Sequence, residues 1–105
     1  MCYSFDEVRR RVNSGVAEYN SQAAPEARIS RVSVFGSYAE GTQTDDSDVD
    51  LLISFNAPVV SLFSLAHVLE IMESNLELPV DVVQDPLPED ALLTISKQVP
   101  VYEAV

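Results

Sequence analysis

The chain has 105 residues, room for one domain around one core and too few for a second catalytic lobe. Hydrophobic residues make up 47% with no biased tract, so a globular rather than a disordered chain is expected. Seventeen acidic against six basic residues give a formal net charge of −11, which argues against direct binding of long RNA or DNA, since that relies on cations to neutralise phosphates.

The same imbalance suits solubility and steering toward a basic partner surface. Five of the six bases (Arg9, Arg10, Arg11, Arg28 and Arg31) lie in the first third of the chain, and only Lys97 follows. The lone Cys2 excludes an internal disulfide and a Cys-rich zinc site. No apolar stretch approaches membrane-spanning length, and the N-terminus lacks a signal peptide's apolar core. A cytoplasmic protein without membrane contact is therefore expected.

Ser4 and Glu7 form a capping-box pattern, and Phe5, Val8, Val12, Val16 and Tyr19 follow at helical spacing. The spacing predicts a helix from about Phe5 to Tyr19, ending before Pro25. Its Arg9-Arg10-Arg11 run reads first as a solvated face opposite the apolar stripe, and second as a contact with an acidic partner or RNA. Ile29 to Phe35 reads as a strand, broken at Gly36-Ser37. Ser37 then opens a short helix, as a plain cap or with backbone amides directed at phosphate oxygens. Asp45, Asp46 and Ser47 form a polar turn.

Asp48-Val49-Asp50-Leu51-Leu52-Ile53 leads into a second strand, and the connection to it is too short for a crossover helix, which suits an antiparallel pair. Side chains alternate along a strand, so Asp48 and Asp50 project from the same face. Two bare carboxylates side by side repel, and a divalent cation resolves the conflict; Mg²⁺ favours one or two carboxylates plus substrate phosphates. After Pro58, Leu62, Leu65, Leu69, Met72 and Leu76 predict an amphipathic helix capped by Ser61 and ending before Pro79. His67 lies off its main stripe and is given no role.

Val80-Asp81-Val82-Val83 predicts a third strand, whose one carboxylate either faces water at an edge or shares a metal with Asp48 and Asp50. Pro88, Glu89 and Asp90 open a last predicted helix through about Lys97, and Pro100 to Tyr102 an edge strand. Helices and strands alternate, which argues for an α/β (α+β) domain spanning residues 1–105, with one sheet covered by helices.

Two familiar motifs fail over the central stretch. Gly36 and Gly41 have P-loop spacing, but Thr42-Gln43 replaces the required Lys-Ser/Thr. Asp46, Asp48 and Asp50 open like an EF-hand, but Leu51 stands where Gly is needed and Ala57 where Glu is needed.

Gly36-Ser37 followed by Asp48-Val49-Asp50 resembles the Gly-Ser … Asp-x-Asp signature of the nucleotidyltransferase superfamily that includes DNA polymerase beta. At this length the chain is similar to the minimal nucleotidyltransferases of prokaryotes, which are often paired with a HEPN-type toxin. The resemblance covers Val34 to Phe55 and, more weakly, Val80 to Val83. It implies a small mixed β-sheet flanked by helices, in a bacterial or archaeal cytoplasm. It also implies transfer of a nucleoside monophosphate, AMP from ATP, to a hydroxyl of a partner protein, with a tyrosine of a HEPN toxin as the acceptor. Gly36 and Ser37 would hold the nucleoside triphosphate, and Asp48, Asp50 and Asp81 would carry catalysis and two Mg²⁺ ions. One position departs: Glu40 stands just before Gly41, where relatives carry Arg or Lys, and one turn from Ser37 its charge should be felt at the phosphates.

Two other readings stay open: an antitoxin that acts by contact alone, and a small-molecule transferase such as an antibiotic-modifying enzyme. The second would need an added helical domain, for which this chain has no residues. Self-association into a homo-oligomer is undecided by the sequence.

Overall fold

A computed structural model describes residues 3–84 and 98–104. The elements run α1 (Phe5–Gln22), β1 (Ile29–Phe35), α2 (Ser37–Glu40), β2 (Val49–Phe55), α3 (Leu62–Leu76), β3 (Val80–Gln84) and β4 (Gln98–Glu103), with a 3-10 turn at Pro25–Ala27. The strands form one sheet in the order β3-β2-β1-β4. β1 pairs antiparallel with both β2 and β4, whereas β2 and β3 are parallel, so the sheet is mixed as expected. The helix expected from Pro88 to Lys97, and Cys2, lie outside the described residues.

α1 runs one turn further than its apolar spacing predicts, to Gln22. Its start is capped as expected, with Ser4 Oγ accepting from the Glu7 amide at 3.2 Å. The capping box is only half realised, because the Glu7 carboxylate turns to Arg10 and Arg11 instead of reaching back to Ser4. Those hydrogen bonds, Arg10 first and then Arg11, hold the Glu7 carboxyl below its usual range. Arg9 stays on the solvated face, paired with Asp6 at 2.9 Å. Arg11 departs from that face: it donates to the Asn75 carbonyl at 3.0 Å, reaches Glu77 at 3.5 Å and lies over the Tyr3 ring at 4.5 Å. It thereby ties α1 to the C-terminal end of α3, a long-range role that a local charge run does not reveal.

α3 matches its predicted span, with Ser61 Oγ accepting from the Ser64 amide at 3.1 Å. Gly15 marks where α1 and α3 cross closely, since a Cβ there would come within 2.8 Å of the buried Met72 sulfur. Val8, Val12, Val16 and Tyr19 of α1 and Val68, Ile71, Met72 and Leu76 of α3 are buried in one core with Val32, Val34, Val49, Leu51 and Ile53 of the sheet. Val32 pairs with Ile53 and Val34 with Leu51, so these side chains share the helix-covered face. Burying each such aliphatic side chain is worth about 1.5–3 kcal/mol, which fixes the register of β1 and β2.

That register has one consequence for chemistry. Residues alternating with Val49 and Leu51 point to the opposite face, away from α1 and α3, and Asp50 is one of them.

Candidate active site

Three chain segments meet where β1 ends and β2 and β3 begin. β1 ends at Phe35, which pairs with Asp50 across the antiparallel ladder. Asp50 in turn pairs with Asp81 across the parallel ladder between β2 and β3. In-register neighbours on adjacent strands lie only about 4.8 Å apart and share a face, so the two carboxyl groups meet. Asp48, two residues before Asp50, stands exposed just ahead of β2 and on the same side. The turn before it is closed by Ser47, whose Oγ accepts from the Thr44 amide at 2.8 Å and whose own amide donates to the Thr44 carbonyl at 3.0 Å. Asp45 and Asp46 form that turn, as their composition predicts.

Burial first, then a hydrogen bond with Asp81 and the charges of Asp81 and Asp48, push the Asp50 carboxyl up from its ordinary 3.8 to about 6. Below about pH 6 a proton on Asp50, hydrogen-bonded to Asp81, lowers the repulsion. Among the described residues no three His, Cys, Asp or Glu side chains converge closely enough to hold a metal ion by themselves. Asp50 and Asp81 are in contact, and Asp48 acts on Asp50 through space. An open set of carboxylates fits a hard cation that completes its shell with substrate oxygens, which is how Mg²⁺ is commonly held beside phosphates.

Gly36 follows Phe35 and closes the site from the β1 side. Its φ of +72° lies in a region that side-chain-bearing residues rarely adopt, and a Cβ there would run into the Asp50 carboxylate. The glycine therefore allows both the turn and the close approach of backbone to carboxylate. Gly36, not Ser37, is the N-cap of α2, and Ser37 is its first helical residue. Reading Ser37 as a plain cap thus gives way to a position at the head of the turn. The Gly36 carbonyl accepts from the Ala39 and Glu40 amides, both at 3.1 Å. Gly41, at φ +75°, ends the turn.

Residues 14–101 match the nucleotidyltransferase domain family. The chain belongs to that family. The expected resemblance to nucleotidyltransferases therefore holds at the level of family and fold. Over 55 residues the chain is 40% identical to the protein adenylyltransferase MntA of Thermococcus cleftensis, covering 52% of this chain and 54% of that one. It is 36% identical over 56 residues to a putative protein adenylyltransferase of Methanocaldococcus jannaschii, covering 53% and 56%. The match thus spans about half the length of these curated relatives. Among solved structures, a toxin–antitoxin MntA–HpeT complex carrying two Asp→Glu changes aligns with a TM-score of 0.65 over 89% of this chain and 73% of that one. At 18% identity that likeness shows the fold alone.

Sequence reading finds the carboxylates and Gly36, because an Asp-x-Asp before an apolar run and a glycine after one are local signals. It misses Glu73 on α3, whose Oε2 accepts from the Val80 amide at 3.4 Å and so fixes the start of the strand that carries Asp81. Its signal was available only as an acid near the end of a helix. Glu40 lies at the last position of α2, beside Phe5 and Val99 in a shallow recess toward β4. Asp81 belongs to the opposite edge of the sheet.

Proposed function

We propose that this nucleotidyltransferase-family chain is an enzyme that transfers AMP from ATP to a hydroxyl group of a partner protein. Residues 1–105 would act as one domain. The observation that carries the reading is the pairing of Asp50 with Asp81 across β2 and β3, with Asp48 beside them and Gly36 under Asp50. The curated relatives named protein adenylyltransferases support AMP as the group transferred and a protein as acceptor.

In the reaction, the acceptor oxygen bonds to the α-phosphorus while the bond to pyrophosphate breaks. The acceptor proton passes to Asp81, and pyrophosphate leaves. Gly36 lets the backbone approach the triphosphate closely, and Ser37 at the head of α2 helps to seat it. Asp48, Asp50 and Asp81 would hold two Mg²⁺ ions, which supply charge stabilisation to the attacking and leaving oxygens. Holding a cation would require Asp50 in its ionised form. The acceptor we favour is a tyrosine of a HEPN-type toxin; modification there would silence the toxin and make this chain an antitoxin in a prokaryotic cytoplasm. Glu40 favours a second reading, an antitoxin that acts by contact alone, since it puts an acid in place of a base at the end of α2.

The test is to incubate the protein with α-labelled ATP, Mg²⁺ and the small protein encoded beside it. Label should pass to a tyrosine of that protein with wild type and fall to background with Asp50→Asn. Toxin neutralisation that persists without any label transfer would instead establish the contact-only reading.

A further inference from the structure

Beside the site lies a surface that the nucleotide reading leaves unused. β3 is an edge strand: among the described residues only β2 pairs with it. The direction of its main-chain groups follows from two hydrogen bonds. The Val49 amide donates to the Pro79 carbonyl at 3.0 Å, so residues 79, 81 and 83 direct their ladder groups toward β2. The Val80 amide goes the other way, to Glu73 at 3.4 Å, so Val80, Val82 and Gln84 direct theirs to the outer edge. Along that edge, between α3 and β3, runs a groove of about 300 Å³ lined by Leu65, Ala66, Leu69, Val80 and Val82 together with the polar Asp81 and Gln84. Leu62, Leu65, Ala66 and Leu69 share one helical stripe, so Leu62, 81% exposed, extends the apolar wall past the groove's end.

The two edges of the sheet differ in a way that matters. β4 carries Pro100, a residue that blunts an edge against further pairing, and Glu103 beside Arg31. β3, Val-Asp-Val-Val-Gln, has neither Pro nor Lys. Its one charge is the carboxylate of the proposed site.

We propose that the acceptor protein presents its hydroxyl on an extended segment that adds as a fifth strand to the edge of β3. This rests on the transfer reading above and names how that site takes its second substrate. Side chains on an added strand alternate between faces. Residues on the α3 side would enter the groove against Leu65, Leu69 and Val82. The residue between them would emerge on the face of Asp81 and Asp50, where the hydroxyl is needed. Among the described residues no basic side chain lines the groove, whereas Asp81 does, so the segment carries no acid and is flanked by Lys or Arg. The recognised pattern is therefore apolar, then Ser, Thr or Tyr, then apolar.

The experiment selects from a random twelve-residue peptide library on the full chain with Mg²⁺ and a non-hydrolysable ATP analogue. Selected peptides are then titrated into isotope-labelled protein and followed by amide NMR, with and without nucleotide. Peptides of the stated pattern should be enriched and should shift the Val80, Val82 and Gln84 amides. Val82→Pro removes an outward amide at an edge position that tolerates proline, and should weaken peptide binding about tenfold. Ala66→Phe fills the groove from an exposed helix position and should weaken it by about the same factor while nucleotide affinity stays within about twofold. No enriched peptide, shifts elsewhere on the molecule, or binding indifferent to both variants overturns the proposal. If wild type binds these peptides but no nucleotide, the transfer reading fails and strand addition stands.

Discussion

The two ends of the β1–β2 pair are built to opposite rules. At the far end, Ile29 opposite Phe55, side-chain hydrogen bonds fasten the strand ends. Tyr19 donates to the Ala27 carbonyl at 2.8 Å while its ring meets Phe55 edge-on at 6.4 Å. Asn20 accepts from the Ile29 amide at 2.8 Å and donates to the Ile29 carbonyl at 3.2 Å. Asn56 donates to the Pro25 carbonyl at 2.8 Å. At the other end, Phe35 opposite Asp50, the same pair meets Asp81 of β3 and Asp48 ahead of β2, three carboxyl groups beside a backbone turn that only glycine adopts comfortably. One end stabilises the pair; the other stores the repulsion that a cation and a triphosphate can relieve. Cation binding at that end would have an unfavourable contact to remove.

The largest effect should come from breaking the stable end. Tyr19→Ala removes a buried ring and its hydrogen bond, and should cost about 4 kcal/mol in denaturant unfolding. Metal affinity per folded molecule should not change. Next, Gly36→Ala strains the working end. Left-handed backbone and collision with Asp50 should cost about 2 kcal/mol in the same measurement and, unlike Tyr19→Ala, weaken nucleotide binding as well.

A subtler break uses pH. The native state holds the Asp50 proton more tightly than the unfolded chain does. Its stabilising contribution is therefore full below about pH 4, shrinks as pH rises, and is lost above about pH 6. Metal-free wild type should lose stability across that window, and Asp50→Asn should flatten the slope when thermal unfolding is followed from pH 4 to 7. Metal binding should weaken as pH falls through the same range, since it must displace that proton.

The smallest effect concerns Glu40. Its place beside Phe5 and Val99 puts it toward β4, so Glu40→Arg should improve ATP affinity by only about 0.5 kcal/mol in titrations at matched salt and Mg²⁺. No gain at all would mean that this departure from the family pattern has no electrostatic reach to the site.

How much of this was legible in the sequence follows the range of each interaction. The start of α1, both ends of β1 and both ends of α3 were readable, because Ser4, Ser61, Gly36 and Pro79 act within a few residues of themselves. The Asp-x-Asp pair was readable because alternation along one strand places both side chains. What the sequence hides is the pairing of separate segments. Nothing local says that β2 and β3 run parallel with Asp50 against Asp81, that Arg11 leaves its helix face for α3, or that Asn20 and Asn56 fasten the far end. Each depends on a partner nine or more residues away. The family resemblance named Asp81 as the third carboxylate, and the parallel register sets it beside Asp50.

The central claim is that Asp48, Asp50 and Asp81 act as one cation-binding set. Calorimetric titration of Mn²⁺ and Mg²⁺ into wild type and the three single Asp→Asn variants, at pH 7.5 with a non-hydrolysable ATP analogue present, tests it most directly. The account predicts that Asp50→Asn and Asp48→Asn each lower metal affinity by about tenfold or more, that Asp81→Asn lowers it less, and that all three stay folded. Metal affinity unchanged in both Asp48→Asn and Asp50→Asn would contradict it.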